Sequence, residues 1–541
     1  MTGANDPSGR KPKADRSEGG ASSEMPGPGI DTPQGPFRVT GSILPRFESP
    51  EWESWPFNVI YRNFLLSQKW WNEALDSFED VAPRERQKAS IAAQQMFDMA
   101  SPANALWSNP EVIAWTLSEG GANLLRGALN LTEDLHRAAW GLPPVGAMDY
   151  VPGCDIAVTP GKVVYRSDLL ELIQYDAQTE TVAPEPVLIV PAWLMKYYIL
   201  DLSPQNSLVN YLCGQGFSVF MISWANPGPQ DRDIGMADYL DALEDALAAV
   251  ARIVPNTRTH AIGYCLGGML LTVKAAQMAR DRDDRLKSLT LFASQLDFTE
   301  HGALQSLLGE PEVSLLESVM SNTGYLDGKH ISDAYKVLRA GEWIWPHYIN
   351  NYLMGRRQPV TDREAWGADT TRLPGRMYGE YLRSMVLNNA LAGGMYEVGG
   401  RPVSLGAITV PVFCVAAADD QIAPWQSVYK LRRLLRSDIT FLLTSGGHVD
   451  GIINAPGCAG ASYQVGWMPR TAPDIARDRT PDIAPENWRH STPSQDGSWW
   501  PEFAQWLHDH SGSAAKPPIA RGLKTPAGTE IEAPGTYVFQ K

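Results

Sequence analysis

The stretch Thr259-His260-Ala261-Ile262-Gly263-Tyr264-Cys265-Leu266-Gly267-Gly268-Met269-Leu270-Leu271 leaves the fewest alternatives for how this chain can fold. A short apolar run meets G-x-C-x-G-G and passes at once into an apolar helical pattern. Small residues on either side of a central side chain let a strand turn sharply into a helix, so the central group stands up from the sheet edge. This is a nucleophile elbow, with Cys where hydrolases usually carry Ser. Cys265 is therefore the candidate nucleophile. A helix N-terminus favours thiolate through its partial positive charge, and an imidazole nearby would complete the activation. The bland alternative is a structural thiol among packing glycines; Cys154, Cys213, Cys414 and Cys458 lack the elbow and read that way.

An elbow demands a carboxylate and then a histidine downstream, each just past a core strand. After the run at 412–416 comes Ala418-Asp419-Asp420-Gln421-Ile422-Ala423-Pro424-Trp425, and after 440–443 comes Ser445-Gly446-Gly447-His448. Asp419 or Asp420 could orient the imidazole, although an acidic pair at a strand end is often only a helix cap. His448 is the histidine that stands directly after the last expected core strand. His260 competes but lies at the wrong end of its strand. An oxyanion hole would take the backbone N–H of Leu266 and a second from the loop Pro191-Ala192-Trp193-Leu194-Met195, at Trp193 or Leu194.

Around this centre, short β-branched runs at 187–190, 218–222, 260–263, 288–292, 412–416 and 440–443 alternate with amphipathic helices. That grammar predicts an α/β fold with a mostly parallel sheet covered on both faces. The expected organisation is a disordered arm over 1–36, a helical N-terminal domain over 37–150, and a catalytic core from 151–293 and 407–511. A cap insertion over 294–406, rich in Trp, Tyr, Asn and Leu, interrupts the core. A flexible tail or surface strap occupies 512–541. In the N-terminal domain the pair Trp70-Trp71 is expected in the core.

A length of 541 residues with 44 % hydrophobic and 20 % charged residues excludes wholesale disorder. The net charge of −15 repels phosphate backbones, so nucleic acid is excluded as a partner. Five scattered cysteines without a C-x-x-C pair fit a reducing compartment, and no apolar run reaches the about 20 helical residues of a membrane span. A cytoplasmic protein is expected. No metal cluster or cofactor motif is legible.

Cysteine in place of serine bears on the reaction. Transfer of an acyl group from a thioester to a thiol is nearly isoenergetic, so its activation is kept for a second acceptor. If that acceptor is the hydroxyl of another acyl unit, repetition builds a polyester; if it is water, the enzyme is a hydrolase.

The chain resembles the polyhydroxyalkanoate synthases, in particular the single-subunit class I type, from about residue 55 to 506. The resemblance rests on Phe64-Leu65-Leu66-Ser67-Gln68-Lys69-Trp70-Trp71, the run Lys196-Tyr197-Tyr198-Ile199-Leu200-Asp201-Leu202-Ser203-Pro204-Gln205-Asn206-Ser207-Leu208-Val209, and Val219-Phe220-Met221-Ile222-Ser223-Trp224-Ala225-Asn226-Pro227. It extends to the 263–268 box, Asn351-Tyr352-Leu353-Met354-Gly355, Asp420-Gln421-Ile422-Ala423-Pro424-Trp425 and Gly446-Gly447-His448. It implies an α/β-hydrolase-type core that polymerises (R)-3-hydroxyacyl groups from coenzyme A thioesters, with the chain held on cysteine. It further implies a homodimer at the surface of cytoplasmic polyester granules, and no cofactor beyond the coenzyme A carried by the substrate. The family's catalytic residues fall on Cys265, Asp420 and His448. Two positions depart from many members: Gln421 stands where they carry His, and Met195 where they carry Asn. The alternatives are a Cys-dependent thioesterase or ester hydrolase on the same fold, or a catalytically weak granule-associated protein.

Overall fold

The computed structural model describes residues 44–77, 81, 83–300, 302–470, 483–519 and 521–541. The arm expected over 1–36 lies outside the described residues. In chain order the strands of the large sheet begin with β1 (Gly161–Arg166), β2 (Leu170–Tyr175), β3 (Val187–Val190), β4 (Val219–Trp224), β5 (Thr259–Tyr264) and β6 (Leu286–Phe292). Two small ladders follow in the insertion, β7 (Tyr325–Asp327) with β8 (Arg372–Pro374) and β9 (Glu397–Val398) with β10 (Arg401–Pro402). The sheet resumes with β11 (Val412–Ala417), β12 (Ile439–Thr444), β13 (Ser462–Met468) and β14 (Ser494–Asp496). Its order is β1-β2-β4-β3-β5-β6-β11-β12-β13-β14.

The six central strands, β4-β3-β5-β6-β11-β12, pair in parallel and overlap the six runs read from the sequence. They are apolar because helices cover both faces and nearly every side chain is buried. The four flanking strands are antiparallel, and composition concealed them. β2 is buried throughout yet carries Glu171 and Gln174. Glu171 is tolerated there because it accepts the backbone N–H groups of Thr536 (2.8 Å) and Tyr537 (2.9 Å) and pairs with Arg166. Those partners are more than 360 positions away or hidden in a strand pattern of mixed polarity.

Segment 512–541 is a strap rather than a flexible tail. Ala515 and Val182 exchange both backbone hydrogen bonds (2.8 and 2.9 Å), Leu523 N donates to Val163 O (2.7 Å), and Val163 N donates to Ile531 O (2.9 Å). It covers the open edge at β1, which would otherwise present unpaired backbone groups.

The helices before the sheet are α1 (Phe57–Asp76), α2 (Pro83–Ala100), α3 (Pro110–Ser118) and α4 (Ala122–Ala139). Asn109 starts α3 by accepting the N–H groups of Glu111 and Val112. Trp52, Ala103 and Val112 are buried in this region. α4 rides on the insertion: Asn123 Nδ2 donates to Leu353 O (2.8 Å) and Asn130 Nδ2 to Asn351 O (3.0 Å). Trp70 and Trp71 are 67 and 40 % exposed, against the core placement expected from their size. The inward stripe of α1 runs through Phe64, Gln68, Asn72 and Leu75 and leaves the tryptophans at its margin.

Within the core, α5 (Leu208–Gly214), α6 (Met236–Ile253) and α7 (Leu266–Asp281) flank the parallel strands. The insertion contributes α8 (Glu310–Thr323), α9 (Gly328–Leu338), α10 (Ala340–Tyr348), α11 (Asp362–Ala368) and α12 (Gly375–Tyr381). Among the described residues no helix is long and apolar enough to cross a membrane.

Candidate active site

The register aligns the C-terminal ends of the parallel strands, where ligands of such sheets sit. Val190 pairs with Gly263, Tyr264 with Phe292, and Ala417 with Thr444. The loops after β3, β5, β11 and β12 therefore meet at one edge.

Cys265 occupies the turn between β5 and α7 at φ 53° and ψ −121°, a strained conformation for a residue with a side chain. The surroundings hold it there. Its N–H donates to Phe292 O (2.9 Å), and its carbonyl accepts from Gly268 N (3.0 Å) and Ser294 Oγ (3.0 Å). The glycines permit close approach. A Cβ on Gly263 would overlap the Gly268 backbone, and one on Gly267 would overlap the carbonyls of Val190 and Pro191.

His448 Nδ1 lies 2.7 Å from Asp420 Oδ2, and the histidine side chain is 10 % exposed. The other carboxylate oxygen of Asp420 accepts Ile422 N (2.8 Å) and Ala423 N (2.9 Å), which fixes the acid. Asp419 is exposed and points its backbone N–H, not its carboxylate, into the turn toward Gly446 O (3.0 Å). Burial lowers the affinity of the His448 ring for a proton. The charges of Asp420 and Cys265, with a hydrogen bond to each, outweigh that and raise the imidazole well above its ordinary 6.5. The ring thus bonds the carboxylate and feels the charge of the thiol. His260 stands apart: it is buried between Ser288 Oγ (2.6 Å) and Ser511 Oγ (3.1 Å) at the far end of β5, and burial pulls it down to about 3.

Loop 191–196 is tied by its carbonyls. Trp224 Nε1 donates to Pro191 O (2.9 Å), Thr371 Oγ1 to Trp193 O (2.7 Å), Thr371 N to Leu194 O (3.2 Å) and Trp366 Nε1 to Lys196 O (2.8 Å). The N–H groups of Trp193, Leu194 and Leu266 donate to no described residue. Met195 bridges to Thr370 in the insertion, and Gln421 is exposed with its carbonyl accepting Ala303 N (2.9 Å).

Several neighbours of the site carry no sequence signal. Tyr264 Oη donates to His448 O (3.2 Å), and the two rings lie 5.5 Å apart. Arg363 of α11 reaches the histidine loop through an ion pair with Asp450 and a hydrogen bond to Ile453 O (3.0 Å). The insertion thus grips the acid loop, the histidine loop and loop 191–196. Within the insertion, burial first, and then the charge of Cys265, push Tyr335 well up. Only Tyr264 adjoins a motif; the partners from the insertion lie far along the chain from what they meet and could be found only by folding the chain.

A ten-stranded, centrally parallel sheet with nucleophile elbow, acid and histidine after successive strands is the α/β-hydrolase architecture, and the family described as "alpha/beta hydrolase fold" matches residues 185–455. The family described as "Poly-beta-hydroxybutyrate polymerase (PhaC) N-terminus" matches residues 45–212. The chain is 37 % identical to the poly(3-hydroxyalkanoate) polymerase of Methylorubrum extorquens over 511 residues, 92 % of this chain and 80 % of that one. Against the corresponding polymerase subunit of Cupriavidus necator it is 32 % identical, over 94 % of this chain and 85 % of the other. The chain belongs to the poly(3-hydroxyalkanoate) polymerase family.

Proposed function

We propose that this chain polymerises (R)-3-hydroxyacyl groups from coenzyme A thioesters and carries the acyl group on Cys265. The observation that carries the reading is the strained elbow that raises Cys265 at the same sheet edge as the His448–Asp420 pair, with the charge of Cys265 felt by the ring. His448 takes the thiol proton, Cys265 sulfur bonds to the thioester carbonyl carbon, and the bond to coenzyme A sulfur breaks as His448 returns the proton to it. An acyl thioester on Cys265 and free coenzyme A result. His448 then takes the proton from the hydroxyl of an incoming hydroxyacyl-CoA, the oxygen attacks the acyl thioester, and an ester forms as Cys265 leaves and is reprotonated. Returning the lengthened acyl group from coenzyme A to Cys265 repeats the cycle. Asp420 holds the imidazole in the required tautomer.

Leu266 N–H and Leu194 N–H serve as the oxyanion donors in this reading. A trans peptide directs its N–H opposite its carbonyl, so tying Trp193 O to Thr371 turns the Leu194 N–H the other way. That choice favours Leu194 over Trp193. The substrate supplies coenzyme A and no further cofactor enters the scheme.

The polyester product is apolar and would collect as granules in the cytoplasm. The N-terminal helices suit its surface: Trp70, Trp107, Leu125, Leu129 and Trp140 are all exposed. A homodimer completes the reading, as the resemblance implies. The decisive experiment supplies (R)-3-hydroxybutyryl-CoA and follows both coenzyme A release and product size. Release with polymer is expected; release with free hydroxy acid alone would make the chain a thioesterase. Release unchanged in Cys265→Ala would make it a non-catalytic granule protein.

A further inference from the structure

The strap that begins at the sheet edge ends on the loop facing the nucleophile. Glu171 grips its last turn by the N–H groups of Thr536 and Tyr537, and Tyr537 Oη donates to Ser167 O (2.7 Å). The strap backbone then meets Lys196, the last residue of loop 191–196. Lys196 is 3 % exposed, and its ammonium donates to Gln540 O (2.8 Å) and Tyr537 O (3.3 Å). Asn226, just past β4, donates its N–H to Gln540 Oε1 (2.7 Å) and accepts Arg372 N (2.8 Å) from the insertion. Lys541 pairs with Asp369 (3.0 Å), whose second oxygen accepts Tyr198 Oη (2.9 Å).

An ammonium taken out of water is costly unless its donors are satisfied. Burial is the larger influence and pulls Lys196 down to about 8, with Asp369 opposing it. A methionine-like side chain would fill the same space without that penalty. The charge stands where it joins two segments more than 340 positions apart, in the loop whose Trp193 and Leu194 N–H groups donate to no described residue.

We infer that Lys196 and strap residues 537–540 form a positioning clamp that holds loop 191–196 in the geometry needed to stabilise an oxyanion beside Cys265. The inference rests on the acyl-transfer reading given above. It assigns Lys196 no contact with substrate. Its effect passes through the loop, from the side chain to the backbone that also receives Trp366 and Thr371.

Two reactions of the same sulfur separate this role from general stability. Acylation by (R)-3-hydroxybutyryl-CoA passes through an oxyanion; alkylation by iodoacetamide does not. Both rates are measured on the full chain, as single-turnover coenzyme A release and as mass addition at Cys265. In Lys196→Met, acylation is expected to fall by about 10–100-fold while alkylation stays within about twofold, as for partial loss of an oxyanion donor. Lys196→Arg should recover part of the loss. Gln540→Ala, which keeps the buried lysine and its carbonyl partners, should give a smaller fall of the same selectivity and decides the matter if Lys196→Met does not fold. Acylation unchanged in these variants, or both reactions slowed alike, overturns the clamp. A wild-type chain that releases no coenzyme A overturns the acyl-transfer reading, and the clamp with it.

Discussion

The elbow at Cys265 and loop 191–196 lie across adjacent strands, yet they are held by opposite means. The elbow is built mostly from its own residues: Gly263, Gly267 and Gly268 admit the turn, and neighbouring backbone groups hold the strained φ. The loop owes its shape to residues far along the chain, Trp224, Trp366, Thr371 and the strap. An elbow that presents a thiol can thus be encoded in a short motif, whereas the shape of the loop opposite it depends on the whole molecule being assembled. The acid and the histidine fall between these extremes. Each sits in a local turn, and each is touched by the insertion.

Substitutions on the two sides should fail differently. The largest effect is expected at the relay: Asp420→Asn keeps the volume but inverts the tautomer demanded of His448, so coenzyme A release should fall by about 10³–10⁴-fold. A loss below tenfold would count against the relay. Gly267→Ala comes next. Its Cβ would meet the carbonyls of Val190 and Pro191, and overpacking of this kind costs about 1–3 kcal/mol, readable by denaturant unfolding together with lost activity. The distant side should be gentler. Thr371→Val deletes the donor to Trp193 O, a bond worth about 1 kcal/mol, so acylation should drop by about five- to tenfold with unfolding little changed.

The smallest expected effect is electrostatic. Because His448 is raised when folded, it contributes stability that is fully present below its ordinary 6.5 and is lost as pH rises through the folded value. Removing the thiol in Cys265→Ala deletes one of the charges that raise it, so the imidazole should titrate at lower pH, as followed by NMR. The decline in thermal stability should still begin near the ordinary 6.5, but end at lower pH and be smaller. An imidazole titrating unchanged would place the thiol out of electrostatic reach.

Legibility in the sequence follows the same division. The six parallel strands were visible because burial on both faces demands unbroken apolar runs. The strands at the margins were not, since β2 buries Glu171 against a strap that no pattern in its own neighbourhood announces. Trp70 and Trp71 misled in the other direction. Size and hydrophobicity argue for a core, but the face of α1 they occupy meets nothing within the described residues that covers them. For the site, the spacing of Cys265, the acidic pair and His448 along strand ends was readable. The resemblance pointed to Asp420 over Asp419, and the structure brings Asp420, not Asp419, to the His448 ring.

Local chemistry is written in order along the chain: glycines that allow a turn, a thiol at a helix start, strand-length runs of apolar residues. Such features depend on a few neighbouring dihedral angles and on side-chain size, so a short window contains them. Which distant groups close on the loop beside the thiol, which carboxylate meets the ring and where the strap ends depend on packing among segments hundreds of residues apart. Those contacts are set by the shape of the assembled sheet and insertion, and no window of sequence holds both partners.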